Sequence, residues 1–306
     1  MSSVLVFGPT GNVGSFVART AASHGAKVWL AMRDTAKAIP GLSAEDEKAG
    51  PYQRVQADLT QPDSVGEAAK KSGAKRAFLY AAHGSPDHMK ATLQALRSAG
   101  VDFVVFLSSY SVHGEDLTAI TPDQVIPYIH AQIELSLADV FGAQGFVAVR
   151  PGGFATNILR HKQGIQAGKT TFFGIDFELD GVTPDDMGEV SGTILAQGPR
   201  DGQHVVYLYG PQVMTQGEGC KKVGKVLGKE VETVEIDAAD APEHFAKLGM
   251  PKPFADYMIR MTLQFRDGKG WPRTKYEEGV KNVELYAGRP ALKFEDWVAK
   301  NKDLFA

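Results

Sequence analysis

The sequence predicts an α/β protein: a doubly wound parallel-sheet domain followed by a smaller, mostly helical C-terminal substrate subdomain. Three observations predict it. Short apolar runs alternate with helix-period segments over the first half of the 306 residues. A glycine-rich turn follows the first of those runs. After Arg150-Pro151-Gly152-Gly153, aromatics among glycines replace the regular alternation.

Taken in order, Val4–Phe7, Lys27–Met32, Arg54–Ala57, Ala77–Ala81, Asp102–Leu107 and Phe146–Val149 read as strands. Their runs are nearly continuously apolar, as in strands covered by helices on both faces. Helical spacing falls at 12–23, 62–72, 86–98 and 122–142. The last is the best marked, because Ile126, Ile129, Ile133, Leu137 and Val140 form one stripe. Pro127 lies in its first turn, where a missing N–H costs nothing. Residues 154–181, with Phe154, Phe172, Phe173 and Phe177, read as a loop-rich lid. Val205–Leu208 reads as a strand returning to the sheet. Thr215–Leu227, Ala241–Leu248, Phe254–Phe265 and Phe294–Asn301 read as helices. The expected division is 1–153 for the sheet domain, with a later strand near 203–209, and 154–306 for the lid and substrate-binding subdomain.

Bulk properties narrow the function classes. A hydrophobic content of 43% and a charged content of 23% are those of an ordinary globular protein. The net charge of −3, with dispersed lysines and arginines, leaves no electrostatic footprint for nucleic acid or an anionic membrane. The one cysteine, Cys220, excludes an internal disulfide and suits a reducing compartment. No apolar stretch approaches the ~20 residues that span a bilayer. With no charged leader before Val4, the expected location is cytoplasmic. The histidines show no ligand spacing, and no metal is expected.

Val4-Leu5-Val6-Phe7-Gly8-Pro9-Thr10-Gly11-Asn12-Val13-Gly14 reads as strand, glycine turn and helix start. The first glycine permits the tight turn, the second lets backbone approach a pyrophosphate, and the third lets helix pack on strand. The free N–H groups at the helix start then face the phosphates. This is a Rossmann dinucleotide loop, with spacing G-x-x-G-x-x-G. The end of the second strand selects the cofactor. Arg33 stands where NAD-binding domains place an acid, with Lys37 a turn later, and a guanidinium suits a 2′-phosphate. The competing reading makes Asp34 the NAD-type acid. Asp58 and Leu59, ending the third strand, would flank the adenine, unless Asp58 merely caps the helix that begins near Pro62.

The glycine loop, Ala31-Met32-Arg33-Asp34, Gln56-Ala57-Asp58-Leu59 and Phe106-Leu107-Ser108-Ser109 occur in a telling order. So do Arg150-Pro151-Gly152-Gly153-Phe154 with Asn157, Thr183-Pro184-Asp185-Asp186-Met187-Gly188, and Tyr209-Gly210-Pro211 followed by Thr215 and Leu227-Gly228-Lys229. Over nearly its whole length the chain thereby resembles the NmrA-like group of atypical short-chain dehydrogenases/reductases. The resemblance implies NADP(H) in an extended groove, held by Gly8, Thr10, Gly11, Asn12, Val13, Gly14, Arg33, Lys37, Asp58 and Leu59. Ala81, Ala82, His83, Ser108, Pro151, Gly152, Gly153 and Phe154 would complete it. The C-terminal subdomain would close over a small organic substrate.

Short-chain reductases place a Tyr and a Lys four residues apart on the helix after the fifth strand, which sets both on one face. Tyr128 matches the tyrosine and Ser109 the partner serine, but Gln132 stands where the lysine belongs, and an amide brings no charge to tune a phenol. His130 and Glu134 form a second pair at the same spacing. The resembling quinone reductases keep such a His–Glu arrangement and lack the Tyr–Lys pair. An apolar wall from Phe154, the 156–180 segment, Met258, Leu263 and Trp271 is expected to face the nicotinamide. The expected activity is NADPH-dependent reduction of a weakly polar activated acceptor, such as a quinone, enone or imine. The alternative is an NADP(H)-sensing regulator without catalysis, acting through a protein partner.

Overall fold

In the computed structural model, residues 2–266 and 271–306 are described. The strands of the first half are β1 (Ser3–Phe7), β2 (Lys27–Met32), β3 (Tyr52–Gln56), β4 (Arg76–Tyr80), β5 (Phe103–Leu107) and β6 (Phe146–Pro151). The helices between them are α1 (Asn12–Ser23), α2 (Ala44–Ala49), α3 (Pro62–Ser72), α4 (Lys90–Ser98) and α5 (Val125–Phe141). Beyond them lie α6 (Lys162–Ala167), β7 (Lys169–Phe172), β8 (Glu178–Leu179), α7 (Pro184–Gln197), β9 (Val205–Leu208) and β10 (Met214–Thr215). The chain ends with α8 (Gln216–Val226), β11 (Glu232–Glu235), α9 (Ala241–Lys247), α10 (Lys252–Phe265), α11 (Tyr276–Ala287) and α12 (Phe294–Lys300).

Seven parallel strands form one sheet in the order β3-β2-β1-β4-β5-β6-β9. The order reverses at β1, so a crevice opens beyond the carboxyl ends of β1 and β4. Alternation along β1 divides the core: Leu5 and Phe7 join the layer under α3, α4 and α5, while Val4 and Val6 join that under α1 and α7. Two small sheets lie outside, β7 parallel to β11 and β8 antiparallel to β10. A separate cluster around Phe172, Val223 and Trp297 forms their core.

Three differences from the sequence reading are informative. The 154–181 segment is more regular than a loop: a 3-10 turn over 155–161 leads into α6, β7 and β8. The helix expected at 86–98 begins only at Lys90, after His88 and Met89 take positive φ (51° and 64°). Helix α7 was not predicted, although eleven of its fourteen residues are buried. Its contact face is glycine: a Cβ on Gly188 would stand 2.2 Å from Phe16 Cβ of α1, and one on Gly192 2.7 Å from Thr20 Cβ. Glycines lower helix propensity and blur the apolar stripe, so close packing hid the periodicity. Because α7 packs on α1 and α11 on β9, residues beyond 153 also supply layers of the sheet domain.

Candidate functional site

The glycine loop has the shape a pyrophosphate needs. Gly8 takes φ +69°, and Gly11 N–H donates to the Gly8 carbonyl at 3.0 Å. A Cβ on Gly14 would fall 2.1 Å from that same carbonyl oxygen, so the third glycine is fixed by contact. Gly11 is the N-cap of α1, with no side-chain cap and no acid in the first turn, which leaves the helix N–H groups free for a ligand. Thr10 is half-exposed and Asn12 exposed at this lip, while Val13 is buried beneath it.

The 33–37 loop is fastened from below. Arg54 Nη1 donates to the carbonyls of Thr35 (2.5 Å) and Lys37 (2.8 Å), while its Nε and Nη2 meet the Glu47 carboxylate at 2.6 Å each. Gln56 Nε2 donates to the Arg33 carbonyl at 3.2 Å. Asp34 spends a carboxylate oxygen on Ala36 N–H (2.9 Å), closing its own turn. The side chains of Arg33 and Lys37 are exposed and carry no ion pair among the described residues. These residues fit a 2′-phosphate better than a ribose hydroxyl.

Asp58 likewise turns inward on its own loop, accepting from the N–H (2.9 Å) and hydroxyl (2.8 Å) of Thr60. The backbone N–H of Thr60 leads in holding its carboxyl below the usual range. It does not cap α3, whose N-cap is Gln61. Leu59 is buried in the core rather than turned to the groove. Ala81 and Ala82 are buried at the end of β4, and the exposed His83 packs edge-on to Phe254 at 5.8 Å. Tyr80, unmarked in the sequence reading, is 40% exposed and leans over the loop, its Cε1 standing 2.6 Å from where a Cβ on Gly8 would be. Its only sequence signal was an aromatic ending a buried strand.

A cavity of about 360 Å³ opens at the carboxyl ends of β5 and β6. Ser108, Ser109, Pro151, Gly152, Gly153 and Phe154 form its floor. Phe172, Phe173 and Phe177 with Met258, Thr262 and Trp271 form its walls. Leu263, expected in that wall, is 47% exposed; the helix turns its neighbour Thr262 inward instead.

Of the two candidate pairs on helix α5, only His130 reaches this cavity. His130 lines the cavity together with Ile126. Tyr128 packs instead with Val112, Ile120 and Leu117, its ring edge-on to His88 at 5.5 Å. Gln132 shares that face of the helix and does not line the cavity. Residues two apart on a helix point to nearly opposite sides, so the rotation that turns His130 to the cavity turns Tyr128 away from it.

Glu134 explains which face wins. It is buried, its Oε1 accepts from Ser108 Oγ (2.5 Å) and Arg150 Nε (3.0 Å), and its Oε2 accepts from Arg150 Nη2 (2.5 Å). Arg150 Nη1 continues to the Val112 carbonyl (3.0 Å) and to Tyr207 Oη (3.1 Å). This buried network sets the rotation of α5 against β5 and β6. One turn earlier, His130 Nδ1 lies 2.8 Å from the Ile126 carbonyl. A carbonyl only accepts, so Nδ1 carries the proton, and burial holds the imidazole neutral by lowering its pKa. Nε2 is thereby left a bare acceptor. Ser109 Oγ shares a hydrogen bond with Ser111 Oγ at 2.8 Å.

A residue that sequence reasoning missed holds the floor in place. Asp180 is buried and accepts from Gly153 N–H (2.9 Å) and Gly210 N–H (3.0 Å). Its oxygens fill the space a Cβ on Gly152 would take, at 2.4 Å. Burial pushes its carboxyl up to about 6, against the pull of the two backbone donors and Arg273. Among the described residues, no cluster of three or more His, Cys, Asp or Glu side chains is placed to hold a metal, and no helix is long and apolar enough to cross a membrane.

The chain matches the model of the NmrA-like family over residues 1–298. It is 35% identical over 319 residues to the nitrogen metabolite regulation-like protein bik4 of Gibberella fujikuroi, covering 98% of this chain and 96% of that one. Among solved structures it is similar to the NADPH-dependent quinone oxidoreductase QOR2 of Escherichia coli complexed with NADPH. That match has a TM-score of 0.72 and 19% identity, covering 97% and 99% of the two chains. NmrA, a negative transcriptional regulator, superimposes with a TM-score of 0.69 at 16% identity, covering 98% and 95%. The chain belongs to the NmrA-like family.

Proposed function

We propose that this NmrA-like protein is an NADPH-dependent reductase of a small, weakly polar activated acceptor such as a quinone, enone or imine. The observation that carries the proposal is the aromatic-walled cavity of about 360 Å³ at the strand ends where a Rossmann sheet brings its cofactor. NADPH, when bound, supplies the hydride. The α1 N-terminus and glycine loop hold the pyrophosphate, and Arg33 and Lys37, on a loop clamped by Arg54, hold the 2′-phosphate. The phenylalanine walls stack a flat acceptor. Ser109 donates a hydrogen bond to the acceptor's heteroatom. His130 Nε2 receives a ligand N–H or O–H, because a neutral imidazole protonated on Nδ1 has no proton to give there.

Among the described residues that line the cavity none is a strong acid, and that selects the chemistry. General acid catalysis contributes about 10²–10⁴ in rate, which a reactive acceptor can forgo and a plain ketone cannot. The proton that follows the hydride then comes from water. NADPH oxidation followed by absorbance against quinones, enones, imines and unactivated ketones tests this. Turnover is expected with the first three only; none with any acceptor defeats the proposal. The name of the 35%-identical relative favours a second reading, an NADP(H)-sensing regulator that passes cofactor occupancy to a protein partner. Tight NADPH binding without turnover, with a stoichiometric protein partner co-purifying, would establish that reading instead.

A further inference from the structure

One side chain of the cavity is out of keeping with its walls. Arg160, in the 3-10 turn after β6, lines the mouth beside His161 and Ile158. Among the described residues it makes no ion pair or side-chain hydrogen bond, whereas Arg54, Arg150 and Arg289 each hold a carboxylate. No Asp or Glu is among the described residues that line the cavity. The histidines that line it are held neutral: His130, and His161, which burial pushes down to about 4 against the ring of Phe172 at 4.3 Å. Arg160 is therefore the one full charge among the described lining residues. Its side chain is exposed at the mouth, and the part against the wall is desolvated enough to lower its pKa from the ordinary arginine value.

A guanidinium in that position is costly to cover with a neutral ligand, because the ligand would displace its water and return nothing. A ligand with a flat apolar body and one anionic group would occupy both parts of the site, stacking on the phenylalanines and pairing at the mouth. We infer that the cavity selects an acceptor bearing a single anionic group, a carboxylate or its equivalent, and that Arg160 is the residue that recognises it. The inference rests on the reductase reading for the word acceptor alone; the recognition itself is a matter of binding.

Calorimetric titration of the full chain saturated with NADP⁺, where no hydride can move, separates the two. Anthraquinone-2-carboxylate and its neutral 2-carboxamide serve as a matched pair. The acid is expected to bind about ten- to hundredfold more tightly than the amide, the usual value of a charge-assisted contact. Arg160→Gln should erase that preference while leaving the amide's affinity unchanged, and Arg160→Lys should retain part of it. Equal affinities in the wild type, or an equal loss for both ligands in Arg160→Gln, would overturn the inference. So would an acid preference that survives Arg160→Gln while NADPH binding weakens, since Arg160 would then meet the cofactor. If the acid preference depends on Arg160 but no acceptor is turned over with NADPH, the recognition stands and the reductase reading fails.

Discussion

The dinucleotide groove and the acceptor cavity share one edge of the same sheet, yet they are built in different ways. The groove comes mostly from short contiguous segments: Gly8 is shaped by its positive φ and Gly14 by a carbonyl that leaves no room for a Cβ, while Arg54 and Gln56 of β3 fasten the 33–37 loop. The cavity takes its floor from β5 and β6, one face from α5, its walls from α10 and the β7 region, and its mouth from a 3-10 turn. A site built locally is a matter of composition. A site assembled from distant segments depends on buried contacts that set the orientation of each.

The largest effect should come from breaking the contact that orients the cavity. Glu134→Ala leaves Arg150 buried without a counter-charge, a change that typically costs about 3–5 kcal/mol. Denaturant unfolding should show that loss, and the same change in the groove's exposed Arg33 should show almost none. A smaller loss than about 1 kcal/mol would mean that the network does not set the rotation of α5.

Arg33→Ala should instead act on the cofactor alone. NADPH affinity is expected to fall roughly ten- to hundredfold with NADH affinity unchanged. Equal affinity of the wild type for the two cofactors, measured by fluorescence titration, would end the assignment of Arg33 to a 2′-phosphate.

Acid should affect the cavity through two groups of opposite sign. The His161 pKa is about 4 in the fold against an ordinary 6.5, so its contribution is complete above pH 6.5 and is lost as pH falls towards 4. The Asp180 carboxyl lies at about 6 against an ordinary 3.8, so the fold gains stability as pH falls from 6 to 4. Their sum should leave a shallow acid limb in the wild type. Thermal unfolding should show that limb flattened or reversed in His161→Gln and steepened in Asp180→Asn. Parallel curves for all three proteins would show that neither group is coupled to folding.

The smallest expected effect is on the other face of α5. Tyr128→Phe should change turnover of an activated acceptor by less than about twofold, the size of a substitution away from the site. His130→Phe, one face over, should weaken binding of acceptors that carry a hydroxyl. Loss of turnover in Tyr128→Phe would restore the tyrosine as a proton donor and show that α5 turns when ligands bind.

The sequence by itself determined the parallel sheet, the glycine loop, the arginine at the end of β2 and the span of α5. Each depends on a pattern within a few residues: continuous apolar strands, glycines at fixed offsets, a stripe at helical spacing. Helix α7 was missed although Thr183, which caps Asp186 N–H, and Pro184 at its first position stand at its start. Its glycine face has meaning only against Phe16 and Thr20 of α1. Tertiary structure alone decided between Tyr128–Gln132 and His130–Glu134. Both pairs have the same spacing, and only the partners of Glu134, Ser108 and an arginine sixteen residues on in a neighbouring strand, fix the rotation that brings His130 to the cavity. It alone decided that Asp180 would sit under Gly152 and that Arg160 would have no counter-charge among the described residues. Local backbone shape is a property of neighbours along the chain, whereas burial and the pairing of charges belong to neighbours in space.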